Sequence, residues 1–135
     1  MTLLTAWGED LDTHAPLPEH PRPQLVRPGW QNLNGRWECT FTPFAASDPL
    51  SVADPRQGPE HFDREIVVPF SPETTLSGVG RATAPDETLW YRRRFTIPAS
   101  TGPDERVLLH FGAVDQSCRS QAMAAADRRD TVGEV

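Results

Sequence analysis

Adjacent carboxylates are the first feature of this sequence that suggests chemistry. Two carboxyl groups held about 5–10 Å apart can cleave a glycosidic bond, one as general acid and the other as base or nucleophile. The chain has three adjacent pairs: Glu9 with Asp10, Asp86 with Glu87, and Asp104 with Glu105. All three stand beside turn residues or in polar segments. Solvated loop charge is therefore the simpler interpretation, and we predict no catalytic residue among them.

Residues that bind metals are present but are not spaced as a metal site. Histidines and cysteines occur at His14, His20, His61, His110, Cys39 and Cys118. No two histidines stand four residues apart or flank a single residue, although zinc ligands must converge on one point. Two distant cysteines are too few for a disulfide framework. We predict no metal and no cofactor, and we interpret the cysteines as small buried or half-buried thiols of a reducing cytoplasm.

Tryptophan side chains are the remaining candidates for a binding role. Trp30, Trp37 and Trp90 could stack on sugar rings, but burial in a core is the more common use of such side chains. Substrate-binding residues therefore stay unassigned from the sequence.

Charge and composition exclude several classes of partner. The 135 residues carry a net charge of -6, which opposes binding to nucleic acid phosphates. One basic run, Arg92 to Arg94, is shorter than a basic patch motif, and we expect two of its three residues on an exposed strand face. No basic start precedes an apolar stretch as in a secretory signal, and no apolar run is long enough to cross a membrane. We expect a cytoplasmic protein with neither nucleic acid nor membrane as partner.

The elements that must position these side chains are strands. The 14 prolines disfavour helices, and five of them fall between residues 16 and 28, which predicts an extended lead-in over residues 1–29. Such a lead-in could lie along the surface of the domain that follows. Alternating apolar residues between turn signals predict strands over residues 36–42, 64–68, 88–97 and 106–113. The last of these is apolar on both faces and suits a central strand.

The predicted fold is all-β, with no helical pattern between the strands. The apolar alternation places six side chains in its core, with Arg93 as an exception on the apolar face of its strand. The predicted core residues are Trp37, Phe41, Tyr91, Phe95, Leu109 and Phe111. Residues 120–135 are rich in alanine and charge, have no strand alternation, and are predicted to be an unstructured tail.

Four segments in order resemble a known family. They are WQNLNGRW at residues 30–37, EIVVPF with LSGVG at 65–80, LWYRRRF at 89–95, and VLLHFGAVD at 107–115. Their order and gaps resemble the N-terminal sugar-binding domain of glycoside hydrolase family 2, which includes β-galactosidases and β-glucuronidases. The resemblance covers roughly residues 21–119 and implies a partial jelly-roll, or galactose-binding-like, β-sandwich over residues 30–119.

The resemblance also implies what the chain does. In this family the catalytic glutamates lie on a (β/α)8 barrel, and no position here matches them. The family pattern breaks off after residue 119, as a frameshift would cause, so we expect an N-terminal fragment of such a hydrolase, inactive alone, whose parent enzyme acts on carbohydrate. The alternatives are a free-standing carbohydrate-binding β-sandwich and a small interaction protein with an unrelated sandwich.

Overall fold

A computed structural model describes residues 4–19, 24, 29–43, 58–97, 106–114, 118, 120–124 and 130–134 of the chain. It contains one short helix and five strands within these residues. The elements are α1 (Ala6–Glu9), β1 (Gly35–Pro43), β2 (Arg64–Val68), a 3-10 turn (Thr75–Ser77), β3 (Glu87–Thr96), β4 (Gln121–Ala124) and β5 (Asp130–Glu134). Strands thus dominate and helix is almost absent, which confirms the all-β prediction at this level.

Strand β1 is the centre of an antiparallel three-stranded unit. It pairs with β2 along its first half, where Trp37 stands opposite Ile66. It pairs with β3 along its second half, where Cys39 stands opposite Tyr91. The backbone pairing continues beyond β3 to β5 and then β4, giving the strand order β2-β1-β3-β5-β4. The three predicted strands at residues 36–42, 64–68 and 88–97 are confirmed to within a residue at each end.

One face of the three-stranded unit holds the core. Trp37 is 7% exposed, and Cys39 and Ile66 are fully buried. Five partly buried apolar residues pack against them: Leu33, Val68, Val79, Leu89 and Tyr91. The alternation of apolar residues in β1 places Trp37 and Cys39 on this face, because successive side chains of a strand point to opposite faces. Of the predicted core residues in these strands, Trp37 is buried, and Phe41, Tyr91 and Phe95 are half-buried.

Arg93 lies on this apolar face, as its position in the alternation predicts. Its guanidinium Nη1 donates to the carbonyl oxygens of Leu33 at 2.7 Å and Asn34 at 2.9 Å. Burial lowers the pKa of Arg93 from its usual value. The arginine therefore satisfies two backbone acceptors that would otherwise meet the apolar core.

The lead-in packs against the start of β1. Pro16 is fully buried. The Asn34 side-chain amide donates to the carbonyl of Pro16 at 3.3 Å, and that of Asn32 donates to the carbonyl of Pro18 at 3.0 Å. Residues 16 and 18 of the lead-in are thus hydrogen-bonded to the residues just before β1.

The prediction of an entirely extended lead-in is wrong at residues 6–9, which form α1. This helix precedes all five prolines of the lead-in, so no ring interrupts it. The Thr5 hydroxyl caps it by accepting from the Gly8 amide at 3.3 Å.

The predicted fourth strand at residues 106–113 is wrong. Residues 106–114 form no strand, and every one of them is exposed. Leu109 and Phe111, predicted as core, are 36% and 40% exposed. Alternation describes a segment that can pair as a strand but not whether it does, and the edge of β3 from Arg92 to Thr96 pairs with β5 instead.

The tail also differs from its prediction. β4 and β5 lie within residues 120–135, where the composition indicated no regular structure. The hydrogen bonds between strands join backbone groups rather than side chains. A segment without apolar alternation can therefore still pair with an open edge of a sheet. The proposed division of the chain at residues 29, 119 and 120 stays a prediction.

Gly35 is where the lead-in and the sheet meet, and it provides a test of that contact. Its φ is +119°, and an added Cβ would lie 2.5 Å from the carbonyl oxygen of His14. Gly78 also has a positive φ, +82°, but open space around it. We expect Gly35→Ala to lower the free energy of unfolding by about 2–4 kcal/mol, because strain and a backbone clash combine.

The matched control is Gly78→Ala, which should cost about 1 kcal/mol, because only its backbone strain applies. Urea unfolding of both variants measures the difference. Equal losses would mean that the lead-in does not lie against Gly35.

Candidate functional site

The face of the sheet opposite the core is the best-defined polar surface among the described residues. We call it the polar face. It consists of Arg36, Glu38, Thr40, Thr42, Phe62, Asp63, Glu65, Trp90 and Arg92.

The pairing register explains why these side chains meet. Glu38 stands opposite Arg92, and Thr40 stands opposite Trp90. Residues directly opposite in an antiparallel pair share a face and lie close enough for their side chains to bond. Glu38, Thr40 and Thr42 therefore lie together on the polar face, as the alternation predicts.

Four hydrogen-bonded contacts cross this face. Both Glu38 oxygens accept from the Arg92 guanidinium, at 2.8 and 3.1 Å. Glu65 accepts from Arg36 at 2.8 Å. Two further bonds complete the face: the Thr40 hydroxyl donates to Asp63 at 2.7 Å, and the Trp90 indole donates to the Thr42 hydroxyl at 2.7 Å.

Aromatic rings lie between the charges. The Arg92 guanidinium carbon stands 4.0 Å from the centre of the Phe62 ring, within range of a cation–π contact. Arg92 is thus held by Glu38 from one partner strand and by Phe62 from the segment before β2. Phe62 and Trp90 are both half-buried.

Two carboxylates of the polar face, Glu38 and Asp63, have lowered pKa values. The hydrogen bond from Arg92 lowers the pKa of Glu38, and the charges of Arg92 and Arg94 add to this. The hydrogen bond from Thr40 lowers the pKa of Asp63. A general acid for glycoside cleavage needs the opposite shift, a raised pKa that keeps its proton near neutral pH. These two carboxylates are therefore suited to binding and stability rather than to proton donation.

The adjacent carboxylate pairs do not form an acid–base site in the described residues. Glu9 and Asp10 are exposed at the end of α1. Asp86 is exposed, whereas Glu87 accepts from Arg81 at 2.7 and 3.0 Å, which lowers its pKa. Glu87, the first residue of β3, is thus bonded to Arg81 in the loop that precedes this strand. Asp104 and Glu105 lie outside the described residues.

No group of three histidine, cysteine, aspartate or glutamate side chains converges as a metal site within the part of the chain that the structure describes. His14 and His61 are exposed, and His110 lies beside Trp30 with 5.5 Å between ring centroids. His20 lies outside the described residues.

The two cysteines differ in environment. Cys39 is fully buried, and burial raises the pKa of its thiol to about 11, so it is protonated and unreactive at neutral pH. Cys118 is exposed, which differs from the buried or half-buried position that we predicted.

The tryptophans divide between core and surface. Trp37 is buried and its indole donates to the Leu33 carbonyl at 2.8 Å. Trp90 belongs to the polar face, and Trp30 is 43% exposed. The predicted exposed position of the arginine run applies to Arg94, whereas Arg92 is half-buried in the polar face and Arg93 lies on the apolar face.

Sequence reasoning missed the contributions of Phe62, Asp63 and Glu65 to the polar face. The signal that could have found them is register: β2 begins at Arg64, and antiparallel pairing with β1 brings the residues around that point beside Glu38 and Thr40. Arg81 was also missed; its guanidinium carbon lies 3.5 Å from the centre of the Phe41 ring.

No protein-family model matches the chain, and no curated protein matches it. The longest helix in the described residues has four residues, and none there could cross a membrane.

The Glu38–Arg92 ion pair predicts how the free energy of unfolding depends on pH. Because the folded-state pKa of Glu38 is lowered, its stabilising contribution is present above the usual glutamate pKa of about 4.3 and is lost as the pH falls through the lower folded value. We expect Glu38→Gln to lower the free energy of unfolding at pH 7 by less than about 1 kcal/mol, since water screens the pair. The variant and the parent should converge as the pH falls through the lowered folded-state pKa of Glu38.

Urea unfolding at pH 7, 5, 4 and 3 measures this convergence. Glu60→Gln is the control, because the described residues give that exposed glutamate no ion pair, and its stability should follow the parent at every pH. A Glu38→Gln deficit that persists unchanged at pH 3 would contradict an ionic origin.

Proposed function

We propose that the chain is an N-terminal fragment of a family 2 glycoside hydrolase that carries part of its sugar-binding β-sandwich and plays a non-catalytic role. One observation carries the proposal. Three of the four segments that resemble the family are neighbours in one antiparallel sheet: the first leads into β1, and the next two supply β2 and β3.

The role of the first segment in the sheet adds support. Within WQNLNGRW, Asn32 and Asn34 bind the lead-in, Gly35 allows its close approach, and Trp37 enters the core. Each of these residue types has a distinct physical role at its place. The motif therefore acts as a structural junction, as expected of an accessory domain.

The chemistry of the polar face supports a non-catalytic role. Glu38 and Asp63 accept hydrogen bonds that lower the pKa of each. In the proposed parent enzyme, the acid/base and nucleophile glutamates belong to the (β/α)8 barrel, and the jelly-roll domain leaves bond cleavage to that barrel.

The alternative function is a free-standing carbohydrate-binding module. The observation that favours it is the exposed ring of Trp30, since an exposed indole beside polar groups can stack on a sugar ring. Under this alternative, the purified chain would be retained by an immobilised polysaccharide, and Trp30→Ala would abolish retention. Trp7→Ala, at a residue 85% exposed elsewhere on the chain, would not.

The proposal predicts that the purified chain does not hydrolyse a chromogenic β-galactoside or β-glucuronide. The physical reason is that its described carboxylates with shifted pKa values, Glu38, Asp63, Glu73 and Glu87, are all shifted downward, so none is set up as a general acid. A mock preparation without the chain gives the background. Turnover clearly above that background would contradict the non-catalytic role.

The family assignment itself is tested by the coding sequence downstream of residue 135, translated in all three frames. We expect it to encode further strands, an immunoglobulin-like domain and a (β/α)8 barrel with two glutamates. Absence of such a barrel in every frame would contradict the assignment and favour the free-standing module.

A further inference from the structure

Both asparagines of the chain, Asn32 and Asn34, lie just before the main part of β1, and both bind the lead-in. The Asn34 side-chain amide donates to the carbonyl of Pro16 at 3.3 Å and to that of Leu17 at 3.4 Å. These bonds use the N–H groups of a neutral amide, which a carboxylate lacks. We call this place, where the lead-in meets the start of β1 around Asn34, the junction.

Gly35, the residue after Asn34, is required by the same contact. Its φ is +119°, and a Cβ at this position would lie 2.5 Å from the carbonyl oxygen of His14. Glycine suits both the backbone conformation and the close approach. The fold therefore places glycine directly after an asparagine whose amide it also needs.

An asparagine followed by glycine can deamidate without an enzyme. Asparagine is thermolabile, and it reacts fastest before glycine, because glycine has no side chain to hinder the attack. The backbone nitrogen of Gly35 would attack Cγ of Asn34 and lose its proton, while the bond from Cγ to Nδ2 breaks and ammonia leaves with that proton. Water then adds to either carbonyl of the cyclic imide and leaves aspartate or isoaspartate at position 34.

The folded junction holds both reacting groups in place. The backbone N–H of Asn34 donates to the Asn32 side-chain oxygen at 2.8 Å, and its carbonyl accepts from Arg93 at 2.9 Å. Gly35 is buried and stands opposite Val68 in the pairing of β1 with β2. The Gly35 nitrogen and the Asn34 amide carbon can therefore rotate toward each other only when the junction opens, and local opening of this kind limits reactions of protected groups.

The product of the reaction cannot rebuild the junction. A carboxylate has no hydrogen to donate, so the carbonyls of Pro16 and Leu17 lose the bonds that Asn34 makes. Isoaspartate also lengthens the main chain by a methylene group, directly before the strand in which Trp37 and Glu38 take opposite faces.

We propose that Asn34–Gly35 is a site of spontaneous deamidation that the junction controls, and that the reaction makes release of the lead-in permanent. Opening of the junction is reversible until ammonia leaves, and irreversible afterwards. This proposal is independent of the proposed function, since it depends only on the contacts of Asn34 and Gly35.

Peptide mapping by mass spectrometry, during incubation of the full chain at slightly alkaline pH, tests control by the junction. The method detects the exchange of an amino group for a hydroxyl group at each asparagine and separates isoaspartate from aspartate. We expect Asn34 to react about tenfold or more slowly in the folded chain than in the chain unfolded by urea. Asn32, which is followed by leucine, is the internal control and should react far more slowly than Asn34 in the unfolded chain.

Two variants test which contact holds the junction closed. Arg93→Met removes the donor to the Asn34 carbonyl, and Arg94→Met removes the same charge from the next, exposed position. We expect Arg93→Met to speed deamidation at Asn34 several-fold and Arg94→Met to leave its rate unchanged. Urea below the unfolding transition, which tryptophan fluorescence reports, should also speed the reaction in the parent, so the test holds even if Arg93→Met fails to fold.

The state of the lead-in after deamidation is the second readout. In nuclear magnetic resonance spectra of the deamidated chain, signals of residues 12–18 should move to random-coil positions, whereas those of residues 87–96 should stay dispersed. Asn34→Asp should show the same change, since it supplies the carboxylate without lengthening the main chain. Equal rates at Asn34 in the folded and unfolded chain, equal rates in the two arginine variants, or an unchanged lead-in after deamidation would each overturn the proposal.

Discussion

The structure depends on a single junction, where the lead-in, the start of β1 and β3 meet around the carbonyl groups of Leu33 and Asn34. The carbonyl of Leu33 accepts from the Trp37 indole at 2.8 Å and from Arg93 at 2.7 Å. Buried carbonyls without donors are costly, and a carbonyl oxygen can accept two hydrogen bonds, so the Leu33 carbonyl has room for a second donor beside the Trp37 indole. Arg93 supplies it from β3 and also bonds Asn34, whose side chain holds the lead-in at Pro16. One guanidinium therefore links β3, the start of β1 and the lead-in.

The junction fixes where each face of the sheet points. Once the position of Gly35 is fixed, the side chains that follow it in β1 alternate between the two faces. Trp37 and Cys39 therefore enter the core, and Glu38 and Thr40 lie on the polar face. The polar face then satisfies its own charges, because each carboxylate accepts from a neighbour across the ladder. Groups already paired in this way stabilise a surface, and the hydrogen bonds that Glu38 and Asp63 accept lower the pKa of each. This physical picture is why we propose a non-catalytic domain.

Alternation made the three central strands predictable. The apolar residues of β1 recur at every second position, and even the exception on β3, Arg93, was placed on the correct face. The failure at residues 106–113 shows what the pattern lacks: alternation describes a segment that can pair as a strand, but it does not say which segment pairs with which edge. The edge of β3 is paired with β5, whose sequence gives no alternating signal.

The candidate site was less predictable than the fold. Glu38 and Arg92 are 54 residues apart in sequence, and their contact depends on the register of β1 against β3. Phe62 and Asp63 join the polar face from a segment that composition marks only as the end of a loop. The types of these residues are visible in the sequence, but their convergence follows from strand pairing. Fold class could thus be predicted from pattern, and the site could not.

The central claim is that Arg93 holds the junction, and the most direct test is the stability of Arg93→Met beside that of Arg94→Met. The two substitutions remove the same charge from adjacent positions of β3, one on the apolar face and one exposed. Urea unfolding should show a loss of about 1.5–3 kcal/mol for Arg93→Met, because two carbonyl acceptors lose a charged donor. Arg94→Met should change stability by no more than about 0.5 kcal/mol. Equal stability of the two variants would contradict the account.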